Sequence, residues 1–157
     1  MCIRDRLSRP RALVLRDYHA ENLIWLPHRR GIKRVGLIDF QDALLGSPAY
    51  DLASLLEDAR RDIDPLFADA MLQRYKAAAS ALDDFDPNQL DREYAILAAQ
   101  RNAKILGIFA RLAKRDGKDR YLTLLPRAER LFRQDLKRPA LNPVADFMKR
   151  QFPDFDL

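Results

Sequence analysis

Four prolines, each directly behind a side chain able to cap a helix, constrain this chain more than any other feature: Ser47-Pro48, Asp64-Pro65, Asp86-Pro87 and Asn142-Pro143. Proline suits the first helical position because its fixed φ matches the helix and its missing N–H would find no partner there. A Ser, Asp or Asn one residue earlier accepts an orphan amide of the first turn. The pattern predicts helices over about 48–61, 65–81, 87–115, 119–137 with a break at Pro126, and 143–151, with Gly117 closing the third. Upstream of Asp42 the punctuation is different. Ala12 to Leu15, Leu23 to Leu26 and Val35 to Ile38 are apolar runs too short for helices and rich in strand formers, so three short strands are expected. Pro27-His28-Arg29-Arg30-Gly31 reads as a hairpin-type turn with Gly31 at positive φ, which pairs the second and third strands antiparallel. The expected class is α+β, a mostly helical body led by a small β-hairpin region.

The 157 residues allow one globular domain, long enough to bury roughly 70% of the unfolded chain's surface without disulfides or metal. Cys2 is the only cysteine and His19 and His28 the only histidines, which excludes an internal disulfide and the common zinc sites. No apolar run approaches the ~20 residues of a membrane span and no signal peptide follows Met1, so the expectation is a cytoplasmic protein with no membrane partner. Residues 1–8 show neither period and read as a non-native or disordered leader to a domain over 9–157. The net charge of +5 divides unevenly. Residues 1–36 carry nine basic and three acidic groups, residues 37–98 five and thirteen, and residues 99–157 fourteen and seven. A basic–acidic–basic order with no aromatic-interleaved basic face favours internal complementarity or an anionic ligand, and no nucleic-acid partner.

Asp17 and Asn22 sit in the loop between the first two strands, in an Asp-x4-Asn spacing, and Asp39 ends the third. Phosphoryl transfer needs such a set: a carboxylate that orients the attacking hydroxyl and takes its proton, and an Asn plus a second carboxylate that hold Mg²⁺ against the phosphates. Asp17 fits the first role, Asn22 and Asp39 the second. Asp42, three residues further on, either touches substrate or metal or solvates a turn. His19 reads as a hydrogen-bonded imidazole that packs the loop. Asp51, in the first turn of its helix, gains from the helix dipole whatever else it does.

Leu13 to Leu26, Ile38-Asp39-Phe40-Gln41-Asp42-Ala43 and Gly46-Ser47-Pro48-Ala49-Tyr50-Asp51-Leu52-Ala53 resemble the catalytic region of aminoglycoside-phosphotransferase-like small-molecule kinases. Arg101 to Leu112 and Asp116 to Leu122 resemble one branch of that family, the anomeric kinases of N-acetylmuramate and N-acetylglucosamine in bacterial peptidoglycan recycling. The likeness runs from about Leu13 to Pro153. It implies a protein-kinase-like C-terminal lobe, ATP as phosphoryl donor, Mg²⁺ as cofactor and a small sugar as substrate. It also implies Asp17 as base, Asn22 and Asp39 as magnesium ligands, and Asp51 as a brace for the catalytic loop, which His19 supports by packing.

Two features depart from the family pattern. Many relatives carry His two residues before the catalytic Asp, where Leu15 stands here. Only sixteen residues precede Asp17, and the five glycines (31, 36, 46, 107, 117) form no glycine-rich loop. The N-terminal nucleotide lobe is therefore expected upstream in a full-length protein, and the fragment alone is expected to be inactive. Arg101 interrupts the apolar stripe Tyr94, Leu97, Ala98, Ile105, Ile108, Leu112 of the long helix. It would meet the lactyl carboxylate of N-acetylmuramate, meet an acid of the middle segment, or snorkel outward. Asn102 and Arg111 are weaker substrate-binding candidates. Two other readings stay open: a kinase for another small hydroxyl substrate, such as an aminoglycoside or choline, and a non-catalytic binding module of the same fold.

Overall fold

The computed structural model describes residues 12–155; the leader expected at residues 1–8 lies outside the described residues. The chain divides into two compact units. One takes in the chain up to Asp58 together with Ile63–Pro87, the other Ala59–Asp62 together with the chain from Asn88 onward. The whole is mostly helical with small antiparallel sheets.

In the first unit the three anticipated strands are β1 (Ala12–Val14), β2 (Leu23–Trp25) and β3 (Val35–Leu37). As the turn chemistry requires, β2 and β3 pair antiparallel, Leu23 opposite Leu37 and Trp25 opposite Val35, and Gly31 in the connection takes φ +56°. A fourth strand, β4 (Leu44–Gly46), lies where only helix was expected after Asp42. It pairs with β1 rather than with the hairpin, so the structure holds two separate two-stranded sheets instead of one group of three strands. Gly46 faces Ala12 across this pair, and a Cβ added to it would stand 3.1 Å from a Val14 methyl, so the close strand approach depends on its missing side chain.

Helix α1 (Ala49–Leu56) and α2 (Pro65–Ala79) complete the unit. The expected run to residue 61 stops at Leu56, because Glu57 leaves helical geometry (φ −125°, ψ 50°) and Ala59–Asp62 joins the other unit. At the predicted cap Asp64, Oδ1 accepts the amides of Leu66 (2.8 Å) and Phe67 (3.0 Å). Ser47 Oγ accepts Ala49 N at 3.3 Å, and α5 begins at Asn142 itself.

The second unit is built on α3 (Pro87–Asp116), α4 (Leu125–Leu136) and α5 (Asn142–Gln151). Gly117, at φ +63°, ends α3 as expected. The anticipated break at Pro126 is a helix start: Asp119–Leu124 is 3₁₀ helix, and Pro126 lies in the first turn of α4, where no amide partner is lost. Ala95, Ile96 and Ala99 of α3 pack with Phe132, Leu136, Leu141 and Ala145; Ile105 and Phe109 pack with Ala128 and Ala59. Within this core Asn102 Nδ2 donates to Asp135 Oδ2 at 2.8 Å, tying α3 to α4. At the surface Asp62 accepts from Arg127 (2.6 and 2.8 Å) and Arg130 (2.8 Å), which holds its carboxyl well below the usual carboxylate range.

The cap at Asp64 sets a stability test. Asp64→Ala leaves two first-turn amides of α2 to water and should cost about 1 kcal/mol in urea unfolding, whereas Asp69→Ala, exposed on the same helix, should change stability by less than about 0.5 kcal/mol.

Candidate active site

The loop between β1 and β2 is held by its own backbone and by one carboxylate from α1. Asp17 N donates to Leu15 O (2.9 Å), His19 N to Asp17 O (3.0 Å) and Asn22 N to His19 O (2.9 Å), the last leading into a single 3₁₀ turn at Ala20–Asn22. Asp51 then accepts Leu15 N at Oδ2 (2.7 Å) and Arg16 N at Oδ1 (3.0 Å), both oxygens on successive amides. Arg16 has φ +71°, a left-handed conformation that costs a non-glycine residue of order 1 kcal/mol and persists where surrounding contacts impose it. The bond from Arg16 N to Asp51 is such a contact, and it turns the chain immediately ahead of Asp17.

Asn22 gathers the rest. Its Nδ2 donates to Asp17 O (2.9 Å) and lies 3.4 Å from Asp39 Oδ2 and 3.5 Å from Nε2 of the buried His19. With Nδ2 turned to these groups, Oδ1 is the atom of Asn22 that would serve a cation. Ile38 N donates to Asn22 O (3.1 Å), which fixes the end of β3 beside the loop. Asp39 then takes φ +59°, the second non-glycine left-handed residue among those described, and Gln41 Nε2 meets its Oδ1 at 2.6 Å. Asp17, Asn22 and Asp39 are thus brought together, with Asp17 and Asp39 exposed to solvent.

The described residues contain no group of three or more His, Cys, Asp or Glu suited to a metal. One carboxylate and one amide oxygen nevertheless fit Mg²⁺, which keeps most of its shell for water and phosphate oxygens. Asp42 is exposed and lies 3.9 Å from the Arg16 guanidinium. Arg101 and Asn102 are buried in α3, Asn102 on Asp135, and Arg111 is exposed on the same helix. Arg16 and Gln41 were not picked out from sequence. The signal for Gln41 was its place two residues after Asp39; for Arg16 there was none short of the backbone angle.

Burial, the largest cause, pushes the Asp51 carboxyl above its ordinary range; the Leu15 and Arg16 amides oppose this, and the Asp17 charge adds to it. The Tyr18 phenol is raised by burial and by the Asp51 charge.

A loop between two strands, pinned by a helix carboxylate, thus carries Asp17 and Asn22 beside the strand-end Asp39; the chain belongs to the phosphotransferase enzyme family, which it matches over residues 2–91. Among its relatives are proteins named N-acetylmuramate/N-acetylglucosamine kinase. That of Caulobacter vibrioides is 54% identical over 112 residues, covering 71% of this chain and 30% of that protein. Those of Neisseria meningitidis (42% over 126 residues, covering 77% and 36%) and Pseudomonas aeruginosa (36% over 152 residues, covering 94% and 44%) follow the same pattern. The chain spans about a third to just under half the length of these relatives. No helix among the described residues is long and apolar enough to cross a membrane.

Asp51→Asn keeps the shape but replaces one acceptor oxygen with a donor. Hydrogen exchange at the amide that loses its acceptor should quicken by roughly fivefold, the equivalent of about 1 kcal/mol. The pH dependence has a definite sign. A carboxyl whose folded pKa is raised binds its proton more readily folded than unfolded, so its ionised form subtracts from stability at neutral pH. That subtraction is relieved as pH falls through the raised value toward the ordinary carboxylate range, so urea midpoints should move in favour of wild type over Asp51→Asn between pH 7 and pH 4. Movement the other way would contradict the burial argument.

Proposed function

We propose that the chain carries the catalytic and substrate-binding part of an ATP-dependent kinase that phosphorylates the anomeric hydroxyl of N-acetylmuramate or N-acetylglucosamine. The observation that carries this reading is the convergence at Asn22, whose one side chain joins the backbone of Asp17 to the carboxylate of Asp39. The sugar comes from the names of the relatives.

In this scheme Asp17 orients the anomeric hydroxyl and accepts its proton as the bond to phosphorus forms. Asn22 Oδ1 and the Asp39 carboxylate would hold magnesium, which when bound would supply positive charge against the phosphates. Asp51 and His19 act on the loop rather than on substrate, Asp51 by setting the backbone ahead of Asp17 and His19 by packing beside Asn22. The loop that covers the phosphates, with its strand Lys and Glu partner, is assigned to an upstream nucleotide lobe. Asn102 is assigned to helix packing and Asp42 and Arg111 to the solvent-facing surroundings; for Arg101, buried in α3, the lactyl carboxylate of N-acetylmuramate and a structural acid are the two partners to be told apart.

The 157-residue chain alone should turn over ATP negligibly, and robust sugar-dependent ADP release from it would contradict the assignment. In a protein that carries the nucleotide lobe, Asp17→Asn should lower kcat by roughly 10²–10⁴ with little change in ATP affinity. Near-full activity would remove Asp17 from the base role. Arg101→Ala should cost N-acetylmuramate roughly ten- to a hundredfold in kcat/KM, as expected for loss of a charge-assisted hydrogen bond, and N-acetylglucosamine much less. Equal losses for the two sugars would make Arg101 a structural ion-pair partner.

A further inference from the structure

The carboxylate of Asp39 is held from two sides by carboxamides. Gln41 Nε2 lies 2.6 Å from Oδ1 and Asn22 Nδ2 lies 3.4 Å from Oδ2, and the backbone between the short contact and the end of β3 is in the left-handed region at Asp39. An exposed carboxylate would otherwise rotate broadly about χ2. The bond from Gln41 restricts that rotation. We propose that Gln41 is a positioning residue for the metal site: its side-chain amide fixes the plane of the Asp39 carboxylate so that the remaining lone pairs meet the cation already oriented. This rests on the assignment of Asp39 and Asn22 to magnesium made above.

The chemistry of the donor set supports it. A carboxylate presents about four lone-pair sites, so one N–H at Oδ1 and a longer one at Oδ2 leave room for a metal at either oxygen. A donor to a charged acceptor makes a short bond, and the 2.6 Å contact is shorter than the usual N–H to carboxylate distance of about 2.7–2.9 Å. Gln41, Asp39 and the hydrogen bond between them are exposed, so the interaction contributes little to folding. Its effect falls on the direction of one carboxylate. Partners that orient a metal ligand commonly change metal affinity by about 10- to 100-fold when removed; for an exposed partner with water as competitor the expected change is smaller, about three- to tenfold.

The test uses Mn²⁺ alone as the probe, added to the ¹⁵N-labelled 157-residue chain, with paramagnetic broadening of the amides flanking Asn22 and Asp39 as the readout. Gln41→Met keeps length and removes the donor. It should leave the thermal midpoint and the spectrum outside the flanking loops unchanged and should raise the Mn²⁺ concentration for half-broadening by about three- to tenfold. Asp39→Asn should remove the broadening. If Asp39→Asn removes it while Gln41→Met titrates like wild type or more tightly, Gln41 is not a positioning residue and the metal assignment stands. If broadening survives Asp39→Asn, the metal assignment fails and takes the proposal with it.

Discussion

The contact on which the first unit's chemistry depends is the pair of backbone amides, Leu15 N and Arg16 N, bonded to the two oxygens of Asp51. A carboxylate at the start of a helix is favoured there by the unpaired amides of the first turn. Here it also draws in the end of a strand. The consequence is local and directional: Arg16 is held at positive φ, the chain reverses, and Asp17 is delivered to the face where Asn22 reads both it and Asp39. Half-burial makes the ionised carboxyl costly, and two charge-assisted hydrogen bonds offset that cost. The same group therefore carries a burial penalty and the two bonds that hold the loop's backbone ahead of Asp17.

Among the described residues, positive φ outside glycine occurs at Arg16 and Asp39, each with a hydrogen-bonding reason to be there. Such residues persist where neighbouring contacts over-determine them. In the second unit the polar groups serve a different end. Asn102 and Asp135, both almost wholly buried, meet each other inside an apolar interface, and because a lone buried amide or carboxylate would be expensive, the pair fixes which turn of α3 faces which turn of α4.

What could be read from sequence followed the range of the interaction. Helix starts at Pro65 and Pro87 and the β2–β3 hairpin rest on neighbours a few residues apart and lie where cap and turn chemistry put them, whereas α5 starts one residue early, at Asn142, with Leu141 in the cap position. Strand β4 was invisible because three residues carry no period and its partner lies thirty residues upstream, allowed in by the absence of a side chain at Gly46. The premature end of α1 was hidden for a similar reason: Ala59 and Asp62 are claimed by residues of α3 and α4 far along the chain. At the site, Asp17, Asn22 and Asp39 could be chosen by residue type and order. That Asn22 would touch both of the others, and that Gln41 would grip Asp39, depends on backbone angles that no spacing encodes.

The central claim is that this loop delivers a phosphoryl group to the anomeric oxygen of an N-acetylated amino sugar. The most direct measurement is ³¹P NMR of the product formed from ATP, Mg²⁺ and N-acetylmuramate by a protein that carries these 157 residues together with a nucleotide lobe. The account predicts a phosphate signal coupled to the anomeric proton, with loss of the sugar's reducing end. A phosphate on a different hydroxyl, or ATP consumption with no sugar phosphate formed, would contradict it.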